Sequence, residues 1–255
     1  QFGVKWDWDA FWKNAEMYNE SSRCMIEKWD VNCTEHPQVC GAALALQREY
    51  EFMAAACMDK FMLKTDRRVT KMMLKGYEQD KAANAPQPKY RCLVWACPAH
   101  YYTNFTYWTQ HCWGVTSVND MEAMLSYQPI TIGDKEQALA DLVRCYEKMM
   151  MRSHTNGGYV NLLDECWKMC EKFHTNIVIM YDHVSCKNVG GLHGLFEDQA
   201  RERGIHLIWI PHDVMDPRTV SRREMREAFS QYMVTVLNEK PLDPTLLDYE
   251  DTLSW

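Results

Sequence analysis

Through the first third of the chain, apolar residues recur every three to four positions, a spacing that predicts helices. Asp9 is placed to cap one that buries Phe11, Trp12, Ala15 and Met17. Pro37 is suited to open a second, with Val39, Ala42, Ala43, Leu46, Tyr50 and Met53 at helical spacing. Asp66 is suited to cap a third, through Val69, Met72, Met73 and Tyr77. The segment Ala85-Pro-Gln-Pro-Lys cannot continue a helix and marks a boundary.

Beyond it, short β-rich runs alternate with helical ones. Strands are predicted over residues 91–96, 114–118, 176–181 and 205–210, the last closed by Pro211. Helices are predicted over 101–113, 134–151, 159–173, 192–200 and 219–237, with Gly204 ending the fourth. The helix from Asp134 shows one apolar face of Ala138, Leu139, Leu142, Val143, Tyr146, Met149 and Met150. Strands separated by helices imply right-handed crossovers and a parallel sheet. The expected fold class is therefore α/β: a helical region over 1–85, a Rossmann-like parallel sheet with flanking helices over 86–240, and an extended tail over 241–255.

A parallel sheet gathers the carboxyl ends of its strands on one edge, where such folds bind ligands. Three predicted strand ends carry polar chemistry. One runs into Cys97-Pro-Ala-His-Tyr-Tyr-Thr-Asn, one into Asp182-His-Val-Ser-Cys-Lys, and one into Pro211-His-Asp-Val-Met-Asp-Pro-Arg. Converging, they would offer Cys97, Cys186, His100, His183, His212, Asp182, Asp213 and Asp216. Cys186 precedes Lys187 and a helical pattern, a setting that favours an anion, and thiolate is the form that binds metal. A buried free cysteine is the competing reading. Asp213 and Asp216 read first as turn formers. Cys166 and Cys170 share a helix face and read as core, as do Cys24, Cys33, Cys40 and Cys57. Arg218, Arg222, Arg223 and Arg226 fit either phosphate groups or a solvated face.

Composition narrows the classes. With 255 residues, 47% hydrophobic and 25% charged, the chain can bury a sizeable core. A net charge of −7 argues against a nucleic-acid binder. No apolar run approaches the roughly 20 residues that span a bilayer. The eleven cysteines include no C-x-x-C pair, and with 17 Met they suit a reducing, anaerobic cytoplasm. Neither a P-loop nor a G-x-G-x-x-G fingerprint occurs, so ATP hydrolysis and nicotinamide binding in this chain are not indicated. The chain starts at Gln1 with no signal-peptide pattern, and is expected to be processed or a fragment.

The blocks His183-Val-Ser-Cys-Lys, Gly204-Ile-His-Leu-Ile-Trp-Ile-Pro-His-Asp-Val-Met-Asp-Pro-Arg and Ser221-Arg-Arg-Glu-Met-Arg-Glu-Ala-Phe resemble the C-terminal region of the 2-hydroxyacyl-CoA dehydratase and benzoyl-CoA reductase family, over about Tyr90 to Phe229. The aromatic loop from Cys97 to Trp108 and the tail are similar to the benzoyl-CoA reductase branch, in a cluster-binding subunit of the ATP-dependent type. The resemblance implies a [4Fe–4S] cluster held between two α/β domains, with two cysteine ligands from an N-terminal domain and one from the C-terminal domain. Cys186 matches that last ligand, and Cys97 is the first suspect for an internal second one. It implies a homologous second subunit in a heterodimer, separate activator subunits that hydrolyse ATP, ferredoxin as the indirect electron source, and an acyl-CoA substrate. His183, His100 and Tyr101 are the candidate proton donors. Tyr102, Trp108, Ser185, Lys187 and Arg218 are the candidate substrate contacts. An (R)-2-hydroxyacyl-CoA dehydratase subunit acting through a ketyl radical, and a non-catalytic partner subunit, are the alternatives. Because the α/β pattern starts only at Tyr90, the chain is expected to be the C-terminal part of a longer subunit or a short relative.

Overall fold

A computed structural model describes residues 3, 5–56, 60–123, 128–148 and 157–248. The helical region holds α1 (Trp8–Asn32), α2 (Ala42–Ala56) and α3 (Lys60–Ala82). The cap of α1 is Asp7 rather than Asp9: its carboxylate accepts the Ala10 N–H at 3.0 Å. Pro37 does not open α2, which begins five residues later. The Asn32 side chain organises the intervening turn, accepting the N–H groups of Gln38 and Val39 and donating to the carbonyls of Val39 and Val118. Asp66 is not a cap either. It lies inside α3, fully buried, and receives Lys28 at 3.2 Å together with the Ser21 hydroxyl. A helix interior can hold that carboxylate because a buried cation and a hydroxyl satisfy it.

The α/β region runs β1 (Tyr90–Trp95), α4 (Phe105–Trp113), β2 (Val115–Asp120), α5 (Lys135–Lys148), α6 (Gly158–Phe173), β3 (Ile177–His183), α7 (His193–Arg203), β4 (His206–His212) and α8 (Arg222–Thr235). All four strands are parallel, in the order β2-β1-β3-β4. Cys92 to Trp95 and Ile177 to Met180 are completely buried, as strands covered on both faces require. The break at Pro86 and Pro88 separates α3 from β1, as the sequence predicts.

Two elements depart locally from the expected pattern, the first of them at the crevice. β4 continues through Pro211 to His212, which pair with Asp182 and His183. It is an edge strand, so the missing proline N–H costs no ladder bond. The extension carries His212 up to the end of β3. In α5, Asp134 caps the first turn, but the expected apolar face is divided. Ala138 is buried beside Ala15 and Ile130, while Leu139, Val143 and Tyr146 are exposed. Met149 and Met150 lie outside the described residues.

The helical region packs directly on the sheet. Trp29, Val39, Leu44 and Met73 share a core with Val118 and Phe173. Buried Arg48 of α2 pairs with Asp120 at the end of β2, at 3.1 Å. Arg91 of β1 donates to the carbonyls of Asn32, Thr34 and Phe173.

Candidate functional site

In the order β2-β1-β3-β4 the chain reverses its winding between β1 and β3, and the crevice of such a sheet opens at their carboxyl ends. The three loops expected there do converge. The His100 N–H donates to the Val214 carbonyl at 2.9 Å, and the Tyr101 hydroxyl to the Val220 carbonyl at 2.6 Å. Arg222 donates to the Tyr101 carbonyl at 2.7 Å. The loops after β1 and β4 are thus tied across the end of β3. Val184, just past β3, donates to the His212 carbonyl at 3.1 Å.

Cys186 occupies the N-cap position of a single helical turn, Lys187–Gly190, with φ −84° and ψ 90°. Its thiol is partly buried and makes no capping hydrogen bond. Gly190-Gly191 closes this turn, and the helix expected over residues 192–200 follows as α7 from His193. Gly191 is required there, because a Cβ would come within 2.9 Å of the Lys187 carbonyl.

His183 is held in one tautomer. Its Nδ1 accepts the Ser185 N–H at 3.1 Å, with the Ser185 hydroxyl at 2.9 Å. In the neutral ring the proton therefore sits on Nε2, 4.0 Å from Asp213 Oδ2. The N–H groups of Met215 and Asp216 bond Asp213 Oδ1 and hold that carboxyl below its ordinary range. Arg218 forks onto Asp216, chiefly through its side chain, and takes that carboxyl down to about 2. Both aspartates thus shape the turn, as the sequence suggests, and Asp213 also faces His183.

His212 is completely buried, with its ring edge-on to Tyr181 at 5.0 Å and to His183 at 5.4 Å. Burial pushes its pKa down to about 4, outweighing the backbone groups of Cys97 and Asp182 beside it, so the ring is neutral.

The loop after β1 leaves the strand through Ala96 at φ 66°, a left-handed conformation that costs a residue with a Cβ roughly 1–2 kcal/mol. Cys97 follows, its sulfur 3.9 Å from His100 Nε2. Burial, with Glu122 beside it, pushes the Cys97 thiol up to about 12. At neutral pH the unligated Cys97 thiol therefore carries its proton, which a metal would have to displace. The buried Arg48–Asp120 pair with Glu122 lies beside this loop. Sequence reasoning missed that cluster, and no local signal could have shown it.

The remaining candidates divide sharply. Ser185, Lys187 and Arg218 are exposed on the crevice loops. Tyr101 commits its hydroxyl to Val220, and burial raises its pKa. Tyr102 and Trp108 are in the core, at 3% and 4% exposure. Tyr102 accepts from Arg226 at 3.0 Å and packs on Phe105. Trp108 lies against Phe105 and Phe229 and donates to the Leu246 carbonyl at 2.9 Å. Cys24, Cys166 and Cys170 are core, as expected. Cys33 and Cys40 are half-buried, and Cys57 lies outside the described residues.

A wound parallel α/β sheet with a thiol and a tautomer-fixed histidine at its switch point defines a crevice-binding α/β protein. The chain matches the family of the 2-hydroxyglutaryl-CoA dehydratase D-component over residues 1–233, and it belongs to that family of radical-type acyl-CoA dehydratases and reductases. The match takes in α1 to α3 as well as the sheet, well beyond the stretch whose resemblance begins at Tyr90. No curated protein matches the chain. Members of the family carry an iron–sulfur cluster and work in multi-subunit complexes with an activator. Among the described residues, no three His, Cys, Asp or Glu side chains converge as a metal site. Cys186 fits a ligand role; the described residues do not supply a complete set. No helix among them is long and apolar enough to cross a membrane.

Proposed function

We propose that the chain is a cytoplasmic subunit of an iron–sulfur benzoyl-CoA reductase, which dearomatises its substrate by low-potential electron transfer in anaerobic aromatic degradation. The observation that carries the reading is Cys186, partly buried and uncommitted at the switch-point crevice. It would be this chain's ligand to a [4Fe–4S] cluster, with the other ligands coming from outside the described residues. When bound, such a cluster supplies single electrons. His183 would hold a proton on Nε2 at the crevice, kept in place by Ser185 and Asp213. His100, beside Cys97, is a second candidate donor. Lys187 and Arg218 stand on exposed loops where the phosphates of an acyl-CoA would meet cations. Electrons would arrive from ferredoxin through ATP-hydrolysing activator subunits, and a homologous second subunit would complete the heterodimer.

Three observations support other readings. The family's own description is a dehydratase, and the burial of Tyr102 and Trp108 takes away an open aromatic wall for a flat ring. Both favour an (R)-2-hydroxyacyl-CoA dehydratase acting through a ketyl radical. The lack of a convergent ligand set among the described residues favours a non-catalytic partner subunit.

The deciding experiment supplies the anaerobic, activator-reconstituted complex with benzoyl-CoA and with a 2-hydroxyacyl-CoA, and identifies products by mass. Benzoyl-CoA gaining two electrons and two protons, to a cyclic diene, supports the reductase. Loss of water from the 2-hydroxyacyl-CoA alone replaces it with the dehydratase. Turnover unchanged by Cys186→Ser assigns the catalysis to another subunit.

A further inference from the structure

Lys60, Lys64, Arg67, Arg68, Lys71 and Lys75 all stand at exposed positions of α3. At about 100° per residue they fall within an arc of about 100° and extend about 22 Å along the helix. Asp66, the acid between them, points the other way and is buried against Lys28. Arg67 pairs with Glu20 at 2.5 Å. The other five have no carboxylate at ion-pair distance among the described residues. Phe61, Met72 and Leu74 border the stripe and are 71%, 62% and 44% exposed. Glu78, one turn beyond Lys75, and Glu20 beside Arg67 are the acids on this side, so over residues 60–75 the exposed face is cationic and flanked by large apolar side chains.

We propose that the exposed face of α3 docks an acidic protein surface, with carboxylates meeting the basic stripe and a shallow apolar seat for Phe61 and Met72. Charge complementarity selects an acidic partner. The character of the face selects a protein. Met62, Leu63 and Met73 are buried, Thr70 bonds the Cys24 carbonyl of α1, and the Lys28–Asp66 pair also ties the two helices. The apolar side of α3 is thus taken, and the helix cannot turn it toward a bilayer. Nucleic acid is less favoured because a phosphate backbone meets cations alone and would leave exposed Phe61 and Met72 without an apolar partner. Phe61, Met72 and Arg68 are of types that protein interfaces enrich, and the four lysines suit the polar rim of one.

The test measures fluorescence anisotropy of a labelled Ala/Glu helix of about four turns' stripe length, its glutamates on one side, titrated with the full chain. Duplex DNA and phosphatidylserine vesicles are parallel probes. The acidic helix is expected to bind at low salt and weaken as salt rises. Lys64→Glu/Arg68→Glu/Lys71→Glu should weaken it at least about tenfold, with an unchanged circular-dichroism melt, because all three side chains are exposed. Phe61→Ala/Met72→Ala should weaken it as well. No binding by the native chain, equal binding by the charge-reversed variant, or a loss confined to the charge variant overturns the proposal. So does DNA or vesicle binding as tight as that of the peptide.

Discussion

Trp108 distinguishes a substrate wall from a packed core, and its surroundings set the size of the effect. The indole is 4% exposed, stacks on Phe105 at 5.7 Å and meets the edge of Phe229 at 5.8 Å. Its Nε1–H donates to the Leu246 carbonyl and so pins the C-terminal segment to α4. Trp108→Ala removes a whole buried aromatic and should cost about 3–5 kcal/mol. In a chain of this size each kcal/mol lowers the Tm by about 2–4 °C, so a fall of roughly 6–20 °C is expected. Trp108→Phe keeps the ring and loses the hydrogen bond, which contributes about 1 kcal/mol. The assay is a thermal melt followed by circular dichroism, with turnover per folded molecule measured in the assembled complex. Turnover per folded molecule should survive. A Tm within about 2 °C of native, with turnover abolished, would refute the packing argument and return Trp108 to the substrate pocket.

Removing Asp66 strands the buried Lys28 ammonium, so Asp66→Ala should cost about 3–5 kcal/mol in urea denaturation, while Lys28→Met/Asp66→Leu should recover most of it. A loss below about 1 kcal/mol for the single variant would contradict the buried-pair account. The Asp141 carboxyl is held down to about 2 by the hydroxyl and N–H of Thr131 and by Gln137. A carboxyl depressed in the folded state contributes its stability above about pH 4 and loses it as the pH falls toward about 2. The stability gap between the native chain and Asp141→Asn should therefore shrink across that window; a constant gap would rule the linkage out.

β1, β3 and β4 were legible because buried parallel strands read as continuous apolar runs, and the Pro86–Pro88 break and the Gly204 cap are local signals; β2, with Thr116, Ser117, Asn119 and Asp120 buried, runs two residues past its expected end. The helix starts were less so. Pro37 and Asp66 have the right chemistry for a start, but the side chain of Asn32, five residues before Pro37, builds the turn, and Lys28 of another helix claims the carboxylate. Periodicity identified the apolar stripe of α5 but could not say what covers it, and Leu139, Val143 and Tyr146 stand exposed. At the crevice, Cys186 and His183 were visible because a strand end delivers them. Tyr102 and Trp108 show the limit: an aromatic near a strand end reads the same whether it lines a pocket or fills a core. Ala96 gave no warning of its left-handed backbone, since alanine has no preference for it. The Arg48–Asp120 pair joins residues from different regions of the chain and has no local signature.

Cys186 is proposed as this chain's ligand to the cluster, and iron per protomer in the purified, anaerobic complex tests that directly. Cys186→Ser removes little core volume, because the side chain is only partly buried at a loop. The variant should melt close to the native temperature, assemble normally, and lose most of its iron together with the reduced-state EPR signal. Native iron content with an unchanged EPR spectrum would show that the thiol holds no metal, and the central assignment would fall.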